Sequence, residues 1–279
     1  MKELIELIRL PNCILSGFGV IVGAFLVRYF NYYNLTLGFL VGFFITAYSM
    51  VINDYFDIEV DKINSPQRPF ASGRVSVRAG LSLALLLLLL GIATSAFINL
   101  IALLVAFIFA LISFLYSWKF KKMGLLGNSL VAISMAIPFI YGSIIAERYE
   151  PLPFLLAGIA FFAGLSREVI KGISDVEGDS RRGIKTVAIE KGSRRASELA
   201  FAFMTSAVVL SLISAKFFET WYLYLPMILA VDYFMLERTW SLIKDPTAKK
   251  SLKVKNDVLK LMFLALAVFL ISGALAYVG

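Results

Sequence analysis

Between Ala79 and Trp118 the chain runs for 40 residues without one Asp, Glu, Lys or Arg, and from Met123 to Ala146 it runs for another 24. About 20 apolar residues cross a bilayer as helix, so the first stretch holds two spans and the second holds one. Unpaired backbone polar groups cannot face lipid, and blocks this long and continuous do not suit barrel strands. They are helices. Only 16% of the residues are charged and 59% are hydrophobic, whereas a soluble domain of this length carries about 25% charged residues. A soluble globule is excluded.

The same reading extended along the chain predicts an all-α polytopic membrane protein of nine transmembrane helices with cytoplasmic cap loops, in a single domain over 1–279. The spans fall near 11–29, 35–55, 79–97, 99–117, 124–146, 152–173, 196–215, 219–239 and 258–278. Of the 27 Lys and Arg, all but Arg28, Arg148 and Lys216 lie at the N-terminus, in the long connections 56–78, 118–123, 174–195 and 240–257, or at nearby helix ends. The positive-inside rule puts that side in the cytoplasm, with the C-terminus outside, in the cell membrane. The net charge of +8 is then mostly an orientation signal, and no nucleic acid partner is expected. Met1 to Leu10 mixes Lys2, Glu3, Glu6 and Arg9 with Leu4, Ile5, Leu7 and Ile8. It predicts an amphipathic interfacial helix rather than a cleavable signal peptide.

Histidine is absent and Cys13 is alone, so there is no thiolate metal site and no imidazole base. Ionic chemistry rests on carboxylates, Lys, Arg, Tyr and hard cations. Asp54, Asp57 and Asp61, in Asn53-Asp54-Tyr55-Phe56-Asp57-Ile58-Glu59-Val60-Asp61, stand at i, i+3 and i+7 and are expected on one helical face. Three carboxylates there repel one another and are costly near a membrane unless a cation neutralises them; losing one is not expected to destabilise the metal-free protein. Oxygen-only ligands suit Mg²⁺, which accepts phosphate oxygens as further ligands. Asp175 and Asp179, at i and i+4, form a second cluster at the same membrane face. The bland reading makes both clusters solvated helix ends. A carboxylate-gated transporter is a rival from another class, but its acids should extend across the bilayer.

Bases follow each cluster: Lys62, Arg68 and Arg74 after the first, Arg181, Arg182 and Lys185 after the second. Tyr116 and Lys119 close the fourth predicted span, and Arg167 and Lys171 lie on the sixth before its membrane exit. A diphosphate leaving group gains charge as its C–O bond breaks, so cations placed around it lower the barrier. Taken singly, each base also reads as an orientation charge. Pro66 and Pro69 stiffen the loop that holds Arg68. Asp232, in the eighth span, lies close enough to Glu237 and Arg238 for a wet, structural role.

Asn53–Asp61, continued by Asn64-Ser65-Pro66-Gln67-Arg68-Pro69, resembles the first signature of the UbiA superfamily of intramembrane prenyltransferases. Tyr116-Ser117-Trp118-Lys119 resembles its Tyr-x-x-Lys element, and Asp175–Asp179 with Gly183-Ile184-Lys185-Thr186 resembles its second signature. The resemblance implies Mg²⁺-dependent transfer of a prenyl group from its diphosphate through a carbocation-like transition state. By position it implies metal–diphosphate binding by Asp54, Asp57, Asp61, Asp175 and Asp179, assisted by Asn53, with Arg68, Lys119 and Lys185 on the phosphates. Asn12 matches a family position near the acceptor.

Within the superfamily, the Leu10-Pro11-Asn12-Cys13 start and Asp175-Val176-Glu177-Gly178-Asp179 resemble the archaeal digeranylgeranylglyceryl phosphate synthase branch. That resemblance implies geranylgeranyl diphosphate as donor and a lipid-like glycerol phosphate, geranylgeranylglyceryl phosphate, as acceptor, among membrane lipids. The alternative acceptor is an aromatic quinone precursor. Arg9, Arg74, Arg167 and Lys171 remain as bases for a second phosphate once the diphosphate has its three.

Overall fold

In a computed structural model of the protein, residues 2–181 and 183–275 are described, apart from the side chains of Lys2, Asn64 and Arg181. Among them the regular structure is entirely helical. The helices are α1 (Lys2–Ile8), α2 (Leu10–Phe25), α3 (Tyr32–Phe56), α4 (Ile58–Asn64), α5 (Val77–Ala96), α6 (Leu100–Trp118), α7 (Leu125–Ala146), α8 (Pro151–Ser174), α9 (Val176–Arg181), α10 (Val187–Lys191), α11 (Ser193–Ser214), α12 (Trp221–Lys244) and α13 (Ala248–Leu275). Local chemistry sets many of their starts. Asn31 accepts from the backbone of Tyr33 and Asn34, Ser76 from Ala79, and Asn99 from Ala102. Each such cap stabilises its helix by about 0.5–2 kcal/mol.

Helices occupy all nine predicted positions, but among the described residues seven are long and apolar enough to cross a membrane: α3, α5, α6, α7, α8, α11 with the turn after it, and α13. The 16 residues of α2 reach about 24 Å, short of a bilayer core of about 30 Å. Charge disqualifies α12, which carries Asp232, Glu237, Arg238 and Lys244. The count of nine spans is therefore not met by length and composition. The side chains are distributed as a bilayer requires. On α6, Ala102, Ala106 and Ala110 are buried while Leu104, Phe107, Ile108 and Leu111 are exposed; on α5, Leu85, Leu86 and Leu89 face out and Gly80, Ala84 and Gly91 face in. Large apolar groups outside and small ones between helices are what packing in lipid selects. The protein is a multi-pass membrane protein.

The chain forms two compact units. One comprises the chain up to Phe120 with Pro138–Tyr149; the other comprises Lys121–Ile137 and the chain from Glu150 onward. In the first, α3 packs against α1, α2, α5 and α6; in the second, α8 packs against α10, α11 and α13.

Three local expectations change. The amphipathic α1 turns its apolar face onto protein: Leu7 is fully buried in a cluster with Cys13, Ala47, Tyr48 and Val51, a burial worth about 2 kcal/mol. The expected loop 240–257 is mostly helix, because α12 runs to Lys244 and α13 starts at Ala248. Ser251, Val254 and Val258 give that basic stretch a buried stripe at i, i+3 and i+7, and the Ser251 hydroxyl donates to the Ile170 carbonyl. The first three aspartates do not share one uninterrupted helix, since α3 stops at Phe56 and α4 resumes at Ile58.

Candidate active site

The first aspartate cluster sits on this one-residue break. Asp57 has φ −94° and ψ 0°, yet its carbonyl still accepts from the Asp61 N–H at 2.7 Å, so the turn stays nearly helical. The carboxylates consequently converge. Arg68 Nη1 lies 2.7 Å from Asp61 Oδ2 and 3.5 Å from Asp54 Oδ1. Arg9 Nη2 approaches the same Asp54 oxygen at 2.5 Å. Asn53 donates from Nδ2 to Asp57 Oδ2 at 3.2 Å. Asp54 and Asp61 are buried, with side chains only 4% and 9% exposed, and such carboxylates need paired charge.

Sequence-local devices aim the two arginines. Arg9 separates α1 from α2 in the left-handed region (φ 52°), just before Pro11. With Leu7 anchored, this kink carries the guanidinium to Asp54. Arg68 is held by the loop after α4. Phe70 is buried against Gly80, where an added Cβ would lie 2.1 Å from the ring, so only glycine admits it. The Ser72 hydroxyl donates to the Arg68 carbonyl at 2.8 Å. Arg74 ties the loop to α1, its Nη1 and Nη2 donating to Glu6 at 2.8 and 2.9 Å and Nη2 also to the Gln67 carbonyl. Burial opposes the Arg68 charge, but the Asp61 hydrogen bond and the charges of Asp54, Asp61 and Asp57 outweigh it, raising its pKa above the usual arginine value.

The second cluster repeats the device. Asp175, with φ −104° and ψ 6°, joins α8 to α9, and its carbonyl accepts from the Asp179 N–H at 2.8 Å. Its Oδ1 accepts from the Ser174 hydroxyl at 2.9 Å. Asp57–Asp61 and Asp175–Asp179 thus share one backbone conformation, a correspondence the sequence showed only as spacing. Lys185 is exposed, on a segment pressed against the turn before α7: an added Cβ on Gly124 (φ +53°) would lie 2.0 Å from the Lys185 carbonyl oxygen. Arg182 and the Arg181 side chain lie outside the described residues.

The remaining predicted residues are placed as follows. Asn12 is exposed, its Nδ2 3.8 Å from Met50 Sδ, one turn of α3 before Asp54. Tyr116 is half-buried on α6; Lys119 is exposed at that helix's end and, among the described residues, forms no ion pair with an aspartate. Arg167 and Lys171, on α8, share a partner the sequence reading passed over. Buried Glu168 accepts from Arg167 Nη1 at 3.2 Å and lies 3.4 Å from Lys171 Nζ. Its signal was available, since Glu168 is the one acid between Pro151 and Ser174. Arg9, a spare base by sequence, is likewise the partner of Asp54. Asp232 is buried rather than wet, accepting from the Ser211 hydroxyl, while the Tyr224 hydroxyl donates to the Ser211 carbonyl at 2.8 Å.

Residues 16–267 match the UbiA prenyltransferase family. The chain belongs to that family. The digeranylgeranylglyceryl phosphate synthase of Pyrococcus furiosus is 38% identical over 272 residues, covering 95% of this chain and 97% of the relative. A solved structure described as a digeranylgeranylglyceryl phosphate synthase in membranes matches this prenyltransferase with a TM-score of 0.85 at 32% identity, over 98% of each chain. A UbiA homolog from Archaeoglobus fulgidus bound to GPP and Mg²⁺ shares the fold, with a TM-score of 0.77 at 21% identity, covering 98% of this chain and 99% of that one.

Proposed function

We propose that this UbiA-family prenyltransferase moves a geranylgeranyl group from geranylgeranyl diphosphate to the free hydroxyl of geranylgeranylglyceryl phosphate, using Mg²⁺. The observation that carries the reading is the convergence of buried Asp54 and Asp61 on Arg68 at the end of a membrane helix, beside the Asn53–Asp57 pair. The Pyrococcus furiosus relative supports the choice of acceptor. One family match from 16 to 267 supports reading both compact units as one catalytic domain.

The donor set fits the metal. Among the described residues no three acidic side chains form a ready-made cage. Mg²⁺ does not need one, because it binds through one or two carboxylates with water and substrate phosphates. Asp54, Asp57 and Asp61, and in the second cluster Asp175 and Asp179, are the carboxylates that would hold it. When bound, Mg²⁺ supplies charge that stabilises the departing diphosphate. This chain's residues do the rest. Asn53 orients Asp57, Arg9 and Arg68 pair with Asp54 and Asp61 and align them, and Arg68 with Lys119 and Lys185 offers donors to phosphate oxygens. Tyr116 belongs to the same element as Lys119, and Asn12 stands toward the acceptor. The absence of histidine suits a reaction driven by leaving-group stabilisation rather than by a strong base. The aspartate motifs and basic loops are assigned to the cytoplasmic side by the charge asymmetry.

Labelled geranylgeranyl diphosphate, offered with geranylgeranylglyceryl phosphate in competition with 4-hydroxybenzoate, tests the proposal. Consumption of the glycerol phosphate well ahead of the aromatic acid is expected. Preference for the aromatic acid would overturn the acceptor assignment.

A further inference from the structure

We infer that Arg167 and Lys171 of α8 form the subsite for the acceptor's phosphate, separate from the groups that hold the diphosphate. The inference rests on the proposed reaction and names the residues that read its second substrate. The structure separates the four bases that sequence left equivalent. Arg74 is committed to Glu6 and the Gln67 carbonyl, and Arg9 to Asp54. Neither is available for a second anion without abandoning a partner.

Arg167 and Lys171 are placed differently. Two positive side chains share one carboxylate, Glu168, so the group keeps an excess positive charge. Their contacts, 3.2 and 3.4 Å, are longer than the roughly 2.7–2.9 Å of a charge-assisted bond. The Arg167 side chain is 17% exposed, and its Nε is buried with no hydrogen-bond partner. A self-contained ion pair would close its contacts and leave no buried donor over. A cluster with surplus charge and an idle guanidinium edge suits an anion with several acceptor oxygens, and a guanidinium fork fits phosphate in particular. Burying Glu168 between the two bases keeps the site tolerable within a membrane helix when no anion is bound.

The position suits the chemistry as well. Arg167 and Lys171 stand four apart on one stripe of α8, and Asp175 follows four residues on, just past the helix end, its N–H still donating to the Lys171 carbonyl. Eight residues at 1.5 Å each put Arg167 about 12 Å along the axis from Asp175. The phosphate would then sit deeper than the second aspartate cluster. Its glycerol hydroxyl would be directed back along the stripe toward that cluster.

The test uses the full-length protein with Mg²⁺, geranylgeranyl diphosphate and two acceptors, geranylgeranylglyceryl phosphate and the dephosphorylated geranylgeranylglycerol. Arg167→Gln is expected to lower kcat/KM for the phosphorylated acceptor by about tenfold to a hundredfold. KM for geranylgeranyl diphosphate and the rate with the dephosphorylated acceptor should stay within about threefold. Lys171→Gln, at a side chain 47% exposed, should act the same way more weakly, and carries the test if Arg167→Gln does not fold. Equal losses on both acceptors, or a raised KM for the diphosphate, would overturn the subsite while leaving the proposed reaction standing. A wild-type enzyme that ignores geranylgeranylglyceryl phosphate would overturn both.

Discussion

Replacing Asp54 by Asn tests whether this carboxylate serves the reaction or only neutralises its neighbours. The change is nearly isosteric and removes one charge from a side chain 4% exposed, leaving Arg9 and Arg68 facing an amide. Breaking a fully buried pair costs about 3–5 kcal/mol, but both arginines are about one-third exposed and can turn to water. The cost to stability should therefore fall to about 1–2 kcal/mol. The catalytic loss should be larger, since removing about 3 kcal/mol of charge stabilisation slows turnover by more than two orders of magnitude. The double variant Asp54→Asn/Arg9→Gln separates the two effects. Thermal unfolding in detergent should recover most of the lost stability, because the unpaired guanidinium is gone. Turnover of labelled geranylgeranyl diphosphate should remain at least two orders below wild type. If the double variant regained turnover to within about threefold of wild type, Asp54 would be only a counter-ion for Arg9, and the metal-binding role would be refuted.

Other outcomes are expected from the same structure. Removal of divalent ions by a chelator should abolish turnover, and Mg²⁺ should restore it; undiminished activity with metal removal verified would defeat the cofactor assignment. Gly124→Ala meets both a positive φ and the Lys185 carbonyl, so it should destabilise by more than about 1 kcal/mol and raise KM for the prenyl diphosphate. Unchanged melting and KM would show that this turn does not position Lys185. Asp232→Asn keeps a hydrogen-bond acceptor for Ser211 and should leave turnover near wild type, whereas Asp232→Leu should lower the melting temperature; a large loss of turnover in the Asn variant would give Asp232 a role in the reaction.

How much of the site could be read in advance depended on how local each relationship was. Asp57–Asp61 and Asp175–Asp179 are four residues apart, and backbone geometry alone brings them to one side of a turn, so spacing sufficed. Arg68 is seven residues from Asp61, on a loop stiffened by Pro66 and Pro69, and its association with the cluster was legible too. Arg9 lies 45 positions from Asp54, and nothing in either neighbourhood encodes the pairing. It depends on Leu7 anchoring α1 and on the left-handed turn at Arg9. That contact also reverses the expected response to losing Asp54. From spacing alone, removing one of three like charges looks neutral; with Arg9 in place, it strands that guanidinium, while Arg68 keeps Asp61.

The sequence by itself determined the membrane character, the helical class and the residue types available for chemistry. Those follow from quantities additive along the chain, such as uncharged length, hydrophobic content and the absence of histidine. Span counting worked while the segments were uniform, as from Ala79 to Trp118, and faltered where length or charge was marginal, as in α2 and α12. Only the tertiary structure decided which charges neutralise one another: Arg9 with Asp54, Arg74 with Glu6, and Glu168 beneath Arg167 and Lys171. Electrostatic energy depends on distance and burial in space, and when 27 bases and 19 acids share one chain, composition leaves their pairing open until packing fixes it.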